Sequence, residues 1–230
     1  MKKAIKRIFS EVSYNYELVN HLLTLGLDIY WRKQAAREAA KVPGLLWLDV
    51  CSGTGEMAQN LSRLAGKNVR IVSADFCIPM MAEAVEKSYA HKVLFTLAEA
   101  KSLPFPDQTF DLVTISFATR NINSRKDILI NYLREFWRVL KPGGRFVNLE
   151  TSQPSVKILR KLLHFYVRLV VKPVGFFFTG SKAGYSYLSF TIPRFYPPEE
   201  FSLILSEASF RQVFFRSLLF GVSAIHTAVK

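Results

Sequence analysis

The alternation of apolar and polar positions predicts short strands separated by amphipathic helices through the middle of the chain. Five apolar runs have the length of strands, at residues 45–50, 69–74, 93–97, 110–117 and 145–149. Between them, apolar residues recur at helical spacing at residues 56–65, 80–88 and 127–140. Lys141-Pro142-Gly143-Gly144 is expected to end the last of these helices. Strands and helices that alternate in this way predict a parallel sheet covered by helices on both faces.

The remaining sequence extends this layout to a single domain. Residues 1–40 are expected to form an N-terminal helical cover, residues 41–150 the core, and residues 151–230 a substrate-side unit with an inserted lid. That last unit contains a basic helix, a stretch rich in glycine, proline and aromatic residues, another helix and two closing strands, at 156–172, 173–198, 199–208, 212–216 and 222–228. The predicted fold is α/β, with a mostly parallel seven-stranded sheet. A hydrophobic content of 50% is enough to form a full core.

Ligand-binding residues are expected where the first two strands end, because open α/β sheets bind ligands at the carboxyl ends of their strands. The first strand leads into Asp49-Val50-Cys51-Ser52-Gly53-Thr54-Gly55, whose glycines let a ligand approach the backbone closely. The second strand ends at Asp75, 22 residues after Gly53. A carboxylate there accepts hydrogen bonds from ribose hydroxyls. The two features fit any cofactor that contains adenosine, although a glycine pair at a strand end also occurs in ordinary turns.

The residue that follows the glycine loop separates two such cofactors. Gly53-x-Gly55-x-x-Ala58 satisfies the dinucleotide-binding pattern, which favours NAD. A dinucleotide, however, places its pyrophosphate at the N-terminus of the next helix. Glu56 opens that helix, and its carboxylate disfavours a phosphate. The cationic sulfonium of S-adenosylmethionine (SAM) tolerates the carboxylate better, so the pattern favours SAM over NAD.

Downstream motifs resemble those of known methyltransferases. The motifs at 103–111 (Leu-Pro-Phe-Pro-Asp-x-x-Phe-Asp) and 140–144 (Leu-Lys-Pro-Gly-Gly) resemble the class I SAM-dependent methyltransferases. Further motifs are similar to the quinone C-methyltransferases of menaquinone and ubiquinone biosynthesis (UbiE/MenG type): residues 16–20 with Gly26 and Trp31, residues 117–121, and Tyr185-x-Tyr187-Leu188 with Phe195 and Pro197. This resemblance runs from about residue 9 to the C-terminus. It implies the Rossmann-like class I methyltransferase fold and SAM as the cofactor.

The resemblance also implies which residues bind SAM. They follow the strand ends and are Asp49, Gly53, Thr54, Gly55, Asp75, Phe76, Glu99, Ala100 and Ser116. Glu99 stands where the family usually has Asp or Asn, and Cys51 where it often has Gly or Ala. The two cysteines, Cys51 and Cys77, lack matching histidines, so no metal site is expected.

The substrate that the resemblance implies is an isoprenyl hydroquinone with an unsubstituted ring carbon. Removal of a proton from the adjacent ring hydroxyl would make that carbon a nucleophile. Arg120 and Asn121 are the predicted catalytic residues, because a fixed guanidinium can stabilise a phenolate or orient a water. The alternative to this catalytic role is that Arg120 forms an ion pair that only holds the loop in place. The predicted substrate pocket contains Tyr16, His21, Tyr185 and Tyr187, although the tyrosines also fit simple aromatic packing.

The charge distribution predicts an anionic partner surface. The net charge is +13, and residues 151–230 hold 10 of the 31 basic residues but only 3 of the 18 acidic ones. Basic and apolar residues share helical spacing at 156–172 and again at 2–12, a pattern typical of helices that lie on anionic membranes. We expect these segments to dock the protein on the membrane that holds a polyprenyl quinol, unless both apolar faces pack internally. No spanning helix and no secretory signal are predicted, so we expect a cytoplasmic protein attached peripherally to the inner face of the membrane.

Two rival functions stay open from the residues alone. A related methyltransferase could act on another phenolic or lipid small molecule, since only the lid would differ. A non-enzymatic, basic RNA-binding protein is the rival from another class, and it would need aromatic–basic clusters suited to base stacking. The clustered aromatic residues here are rich in phenylalanine and adjoin a Pro/Gly-rich lid. They favour a lipid pocket, so no nucleic-acid partner is expected, while a homodimer remains open.

Overall fold

Seven strands form one sheet in the computed structural model, which describes residues 7, 9–11, 13–171, 173–174 and 182–230, without the side chains of 182–185. The strands are β1 (Leu46–Val50), β2 (Arg70–Asp75), β3 (Val93–Leu97), β4 (Phe110–Ser116), β5 (Leu140–Thr151), β6 (Arg211–Leu218) and β7 (Ser223–Val229). The helices are α1 (Tyr16–Thr24), α2 (Leu27–Ala39), α3 (Glu56–Leu64), α4 (Ile78–Val85), α5 (Thr119–Ile122), α6 (Lys126–Val139), α7 (Lys157–Tyr166), α8 (Lys182–Thr191) and α9 (Pro198–Glu207). A π-helical turn, Val167–Val171, continues α7.

The strand order is β3-β2-β1-β4-β5-β7-β6. Strands β1 to β5 pair in parallel, and β7 runs antiparallel to both of its neighbours. The order reverses between β1 and β4, where crevices for ligands form at the carboxyl ends of parallel strands. This topology confirms the predicted α/β fold and explains why β1 reads as a continuous apolar run, since its residues are buried on both faces.

Each face of the sheet has its own core. On one face, α6 and α9 bury Leu129, Phe136 and Phe201 completely, and Phe136 stacks on Phe146 of β5. On the other face, helix α2 packs against α3 and the sheet through Trp31 and small alanines. Alanine at these positions lets the helix backbone approach the sheet closely. The N-terminal cover is therefore part of the main core.

Three predicted elements differ from the structure. Strand β5 already begins at Leu140, because Gly143 adopts a left-handed φ of 76° and the chain continues extended past a register shift. The predicted helix at 80–88 lies at Ile78–Val85. The Gly/Pro/aromatic-rich stretch at 173–198, for which no helix was predicted, contains helix α8. The phenylalanine run 176–178 and most of the amphipathic segment at 2–12 lie outside the described residues.

None of the helices in the described ranges combines the length and the apolar character that crossing a bilayer requires.

Candidate active site

The loop between β1 and α3 turns through left-handed backbone conformations. Cys51, Gly53 and Gly55 have φ values of 52°, 54° and 80°. A side chain at Gly55 would place its Cβ 1.8 Å from the hydroxyl oxygen of Tyr89, so only glycine fits there without displacing that ring. Cys51 adopts the same left-handed conformation with a side chain, which residues other than glycine rarely do. The loop is thereby held tightly against its neighbours.

Asp75, at the end of β2, organises this loop. Its Oδ2 accepts a hydrogen bond from the backbone N–H of Gly53, and its Oδ1 accepts one from Cys77, both at 2.8 Å. Burial raises the pKa of Asp75, against these hydrogen bonds, which favour the ionised form. Each carboxylate oxygen keeps a second lone pair. The side chain therefore shapes the loop and remains able to accept hydrogen bonds from ribose hydroxyls.

A cavity of about 560 Å³ opens beside this loop, and we call it the cofactor cavity. Its walls include most of the residues predicted to bind SAM, namely Gly53, Thr54, Asp75, Phe76, Glu99, Ala100 and Ser116. Ser52 also lines it, and the hydroxyl of this residue is buried with no hydrogen-bond partner within the described part of the chain. An unpaired buried hydroxyl is costly unless a ligand satisfies it. The acidic walls at Asp75 and Glu56 fit a cationic cofactor, so the residues present suit SAM.

Two predicted contacts need correction, because Asp49 and Gly55 do not line the cofactor cavity. Asp49 is completely buried on β1 beneath the loop, where its Oδ1 accepts a hydrogen bond of 2.7 Å from the Thr114 hydroxyl. Burial raises the pKa of Asp49 to about 7. Gly55 instead forms the sharp turn before α3. Both residues support the loop from below.

A second cavity of about 430 Å³ adjoins the first, and we call it the apolar cavity. It lies between the N-terminal helices, helix α7 and the β6–β7 turn, and leucine, isoleucine, valine and aromatic side chains dominate its walls. Tyr16, Arg32 and Phe117 line both cavities. This shared wall is the place where a small polar cofactor and an apolar substrate would meet.

Arg120 and Asn121 lie at this junction, as predicted for catalytic residues. Arg120 lines the apolar cavity, and Asn121 lines the cofactor cavity. Arg120 donates to Glu150 Oε1 at 2.5 Å and to the Phe117 carbonyl at 3.0 Å. The Arg120 Nε and the Asn121 Oδ1 are buried, and neither finds a partner among the residues described. A buried donor and a buried acceptor without partners therefore come from two consecutive residues beside the shared wall.

Burial and positive charge act in opposite directions on a hydroxyl at the junction. Burial alone would lower the pKa of Arg120, but the Glu150 carboxylate raises it overall, so the guanidinium stays charged. Burial raises the pKa of Tyr16, while the positive charges of Arg120 and Arg32 act in the opposite direction. The phenol of Tyr16 therefore lies in the field of two buried arginines. A substrate hydroxyl bound here would feel the same field.

Arg32 and Glu56 were not predicted as site residues, yet they connect the cover to the site. The Arg32 guanidinium is almost completely buried, with NH1 2.6 Å from Asp28 Oδ2 and NH2 2.9 Å from Glu56 Oε2. It also lies 4.9 Å from the centre of the Phe117 ring, a cation–π distance. Phe117 itself has a left-handed φ of 52° at the end of β4. Local sequence patterns do not reveal such contacts, because Arg32 and Glu56 lie on different helices.

The predicted pocket residues have mixed outcomes. Tyr16 lines both cavities. His21 lines neither cavity, because its Nδ1 is hydrogen-bonded 2.9 Å from Asp28 Oδ2 and the ring is held against α2. Tyr187 also lies outside both walls, and its hydroxyl donates to the Asn121 carbonyl at 3.4 Å. The role of His21 and Tyr187 in the substrate pocket therefore stays a prediction, and the Tyr185 side chain lies outside the described residues.

A lysine joins the first helix of the cover to the glycine loop. The Lys87 ammonium pairs with Glu17 of α1 and also donates to the Thr54 carbonyl at 2.8 Å. One side chain thus contacts both the cover and a wall of the cofactor cavity. Together with Arg32, it ties α1 and α2 to the loop.

Comparisons with known proteins identify the family. The sequence profile of the ubiE/COQ5 methyltransferase family matches residues 1–230. The ubiquinone/menaquinone biosynthesis C-methyltransferase UbiE of Geobacter sulfurreducens is 36% identical over 98% of this chain and 88% of its own length. The demethylmenaquinone methyltransferase of Staphylococcus aureus is 34% identical over 100% of this chain and 94% of its own length.

Solved structures confirm the fold. A SAM-dependent methyltransferase from Aquifex aeolicus superposes with a TM-score of 0.60 at 20% identity, covering 86% of this chain and 88% of that one. Human N-acetylserotonin methyltransferase in complex with SAM superposes with a TM-score of 0.61 at 18% identity, covering 94% of this chain and 57% of that one. Both have the class I methyltransferase fold.

Alanine at Gly55 should destabilise the protein more than alanine at Gly53. Both positions are left-handed, which costs a side chain about 1–2 kcal/mol, but only at Gly55 would the new Cβ meet Tyr89. We expect Gly53→Ala to lower the free energy of unfolding by about that amount, and Gly55→Ala by clearly more. Urea unfolding of the two variants measures the difference. Equal losses would contradict the close packing of Tyr89 on the loop.

Proposed function

The chain belongs to the ubiE/COQ5 methyltransferase family and is a SAM-dependent methyltransferase, and from this we propose that it C-methylates a demethylmenaquinol-type isoprenyl hydroquinone. The observation that carries the proposal is the junction of two unlike cavities. The cofactor cavity is bordered by Gly53, Glu56 and Asp75, and the walls of the other cavity are mostly apolar. A cationic cofactor and a lipid substrate match these two cavities.

The residues at the junction supply what the reaction needs from the protein. SAM, when bound, supplies an electrophilic methyl group on a cationic sulfur. An unperturbed phenol has a pKa of about 10. The protein must therefore stabilise the phenolate for it to form near neutral pH. The fixed positive charge of Arg120, which lines the apolar cavity, would lower the pKa of the ring hydroxyl and stabilise the phenolate once a water has taken its proton. Asn121, the next residue in the chain, lines the cofactor cavity and would offer its side-chain amide to the substrate from that side.

Position is the second contribution of the protein. Glu150 accepts hydrogen bonds from both the backbone N–H and the guanidinium of Arg120, so the charge cannot swing away. Holding two reactants in a productive arrangement accounts for as much as ~7–11 kcal/mol of a barrier. Tyr16, Arg32 and Phe117 form the wall that sets this arrangement. The ring carbon beside the ionised hydroxyl is thereby directed toward the cofactor cavity.

We further infer that the protein binds the inner, anionic face of the membrane peripherally, from the cytoplasm. Helix α7 and its π-helical turn expose an apolar stripe that no described residue covers: Ile158, Leu162, Phe165 and Leu169. Lys157, Lys161 and Arg168 are exposed beside this stripe. Basic residues near an anionic surface contribute ~1 kcal/mol each, and the stripe adds apolar contact. The adjacent side of the same helix lines the apolar cavity, together with Leu162 of the stripe, which suits a substrate that comes from the membrane.

Labelled methyl from SAM should appear in reduced demethylmenaquinone, and Asp75→Asn should suppress the transfer. The NH₂ group of the new asparagine cannot accept a hydrogen bond, so the backbone N–H of either Gly53 or Cys77 would lose its acceptor. We therefore expect SAM binding to weaken about 10–100-fold. Asp107→Asn is the matched control, since its carboxyl group is exposed on the surface. If SAM binds but no quinol accepts the methyl group, the substrate must be another phenol. Comparing naphthoquinol with benzoquinol acceptors separates a menaquinone-type ring from a ubiquinone-type ring.

Flotation with vesicles tests the membrane inference. Replacing Lys157, Lys161 and Arg168 by glutamine should lower the partition onto anionic vesicles by roughly 100-fold, at ~1 kcal/mol per charge. The control removes the same charge elsewhere, at the exposed Lys67, Lys92 and Arg211. Equal losses for both triple variants would show that net charge alone acts, and binding as strong to neutral vesicles would refute the electrostatic contribution.

A further inference from the structure

The mouth of the apolar cavity is built from large side chains that solvent reaches. Leu25 and Phe220 are 87% and 79% exposed, and Leu162 and Leu219 are about half exposed, yet all four line the cavity. They come from the end of α1, from α7 and from the β6–β7 turn. We call these four residues the apolar rim. Apolar side chains that are both cavity wall and outer surface mark an opening toward an apolar surrounding.

Three members of the rim are held in a backbone conformation that residues with side chains avoid. Leu25, Leu219 and Phe220 have φ values of 52°, 43° and 55°. Glycine or asparagine normally occupies such positions. Neither the unfavourable backbone conformation nor the exposure of these large apolar side chains stabilises the fold in water. Both features fit side chains that are presented to something outside the protein.

Hydrogen bonds fix the three segments of the rim relative to each other. The Tyr166 hydroxyl donates to the Leu23 carbonyl at 2.7 Å, which ties α7 to the end of α1. Arg160 donates through Nε to the Pro154 carbonyl at 2.8 Å. Pro154 in turn packs so closely on Gly221 that a Cβ there would lie 3.0 Å from it. The rim therefore moves as one unit with α7 and its exposed stripe.

We propose that the apolar rim inserts into the bilayer and passes the isoprenoid tail of the substrate sideways from the lipid into the apolar cavity. The occupant of this surface is an anionic bilayer, because exposed Lys157, Lys161 and Arg168 flank Leu162 on the same helix and the cavity behind the rim is apolar. The inference rests on the proposed function. The inference extends the proposed function because it assigns entry of the isoprenoid tail to Leu25, Leu219 and Phe220, which sequence analysis did not single out.

The test replaces the two most exposed rim residues together, Leu25→Asn and Phe220→Asn. Asparagine tolerates the left-handed conformation, so the variant keeps the backbone of both turns. The control is Phe214→Asn, which removes a side chain that is 68% exposed on β6 and lines neither cavity. For each protein, kcat/KM is measured with a long-tailed quinol in anionic phosphatidylglycerol vesicles and with a tailless, water-soluble hydroquinone without vesicles.

The ratio of the two kcat/KM values should fall by at least about tenfold in the rim variant, since an inserted Phe or Leu contributes that much to lipid contact. The control should keep its ratio within about twofold. An unchanged ratio in the rim variant would overturn the proposal. So would a change in oligomeric state on size exclusion, because a second copy would then be what covers the rim. If the unmodified protein methylates neither acceptor, the proposed function itself fails. That result differs from an unchanged ratio and from a change in oligomeric state.

Discussion

A single buried guanidinium holds the site together. Arg32 reaches from the N-terminal cover to Glu56 at the start of α3, while Asp28 on its own helix neutralises its other side. Removing one partner of a buried pair typically costs about 3–5 kcal/mol, because the other charge stays uncompensated. Arg32 also lines both cavities, so the shape of each depends on it. The cover is consequently part of the catalytic site rather than an appendage to it.

Around this pair, the fold separates two environments that the reaction must bring together. The glycine loop and carboxylates at the ends of β1 and β2 border the cofactor cavity, while apolar side chains of α7, the N-terminal helices and the β6–β7 turn dominate the walls of the apolar cavity. Phe117, with a left-handed φ of 52° at the end of β4, lines both cavities. Arg120 and Asn121 follow three and four residues later, so the end of β4 positions both the shared wall and the polar groups.

Local patterns predicted most of the fold, the glycine loop and Asp75, whereas Glu99, Ala100 and Ser116 were predicted from the resemblance to the family. The apolar runs and the glycine loop depend on neighbouring residues, and Asp75 acts at the end of a strand whose position periodicity predicts. The contact of His21 depends on tertiary packing. Its Nδ1 lies 2.9 Å from Asp28 Oδ2, Asp28 also pairs with Arg32, and the geometry of two packed helices decides these contacts. Sequence analysis used Glu56 only to exclude a phosphate at the start of α3. Its ion-pair partner, Arg32, lies 24 residues earlier in the chain, so no local pattern connects the two residues.

The most direct test of this account is a double-mutant cycle on SAM affinity. Calorimetry would give the free energy of SAM binding for Arg32→Met, for Glu56→Gln, for both together and for the unmodified protein. Residues in one buried network couple by about 0.5–3 kcal/mol. We predict a coupling energy of at least about 1 kcal/mol, because either change alone leaves a charge that distorts the cofactor cavity. Additive effects within about 0.5 kcal/mol would show that the cover and the cofactor cavity are independent.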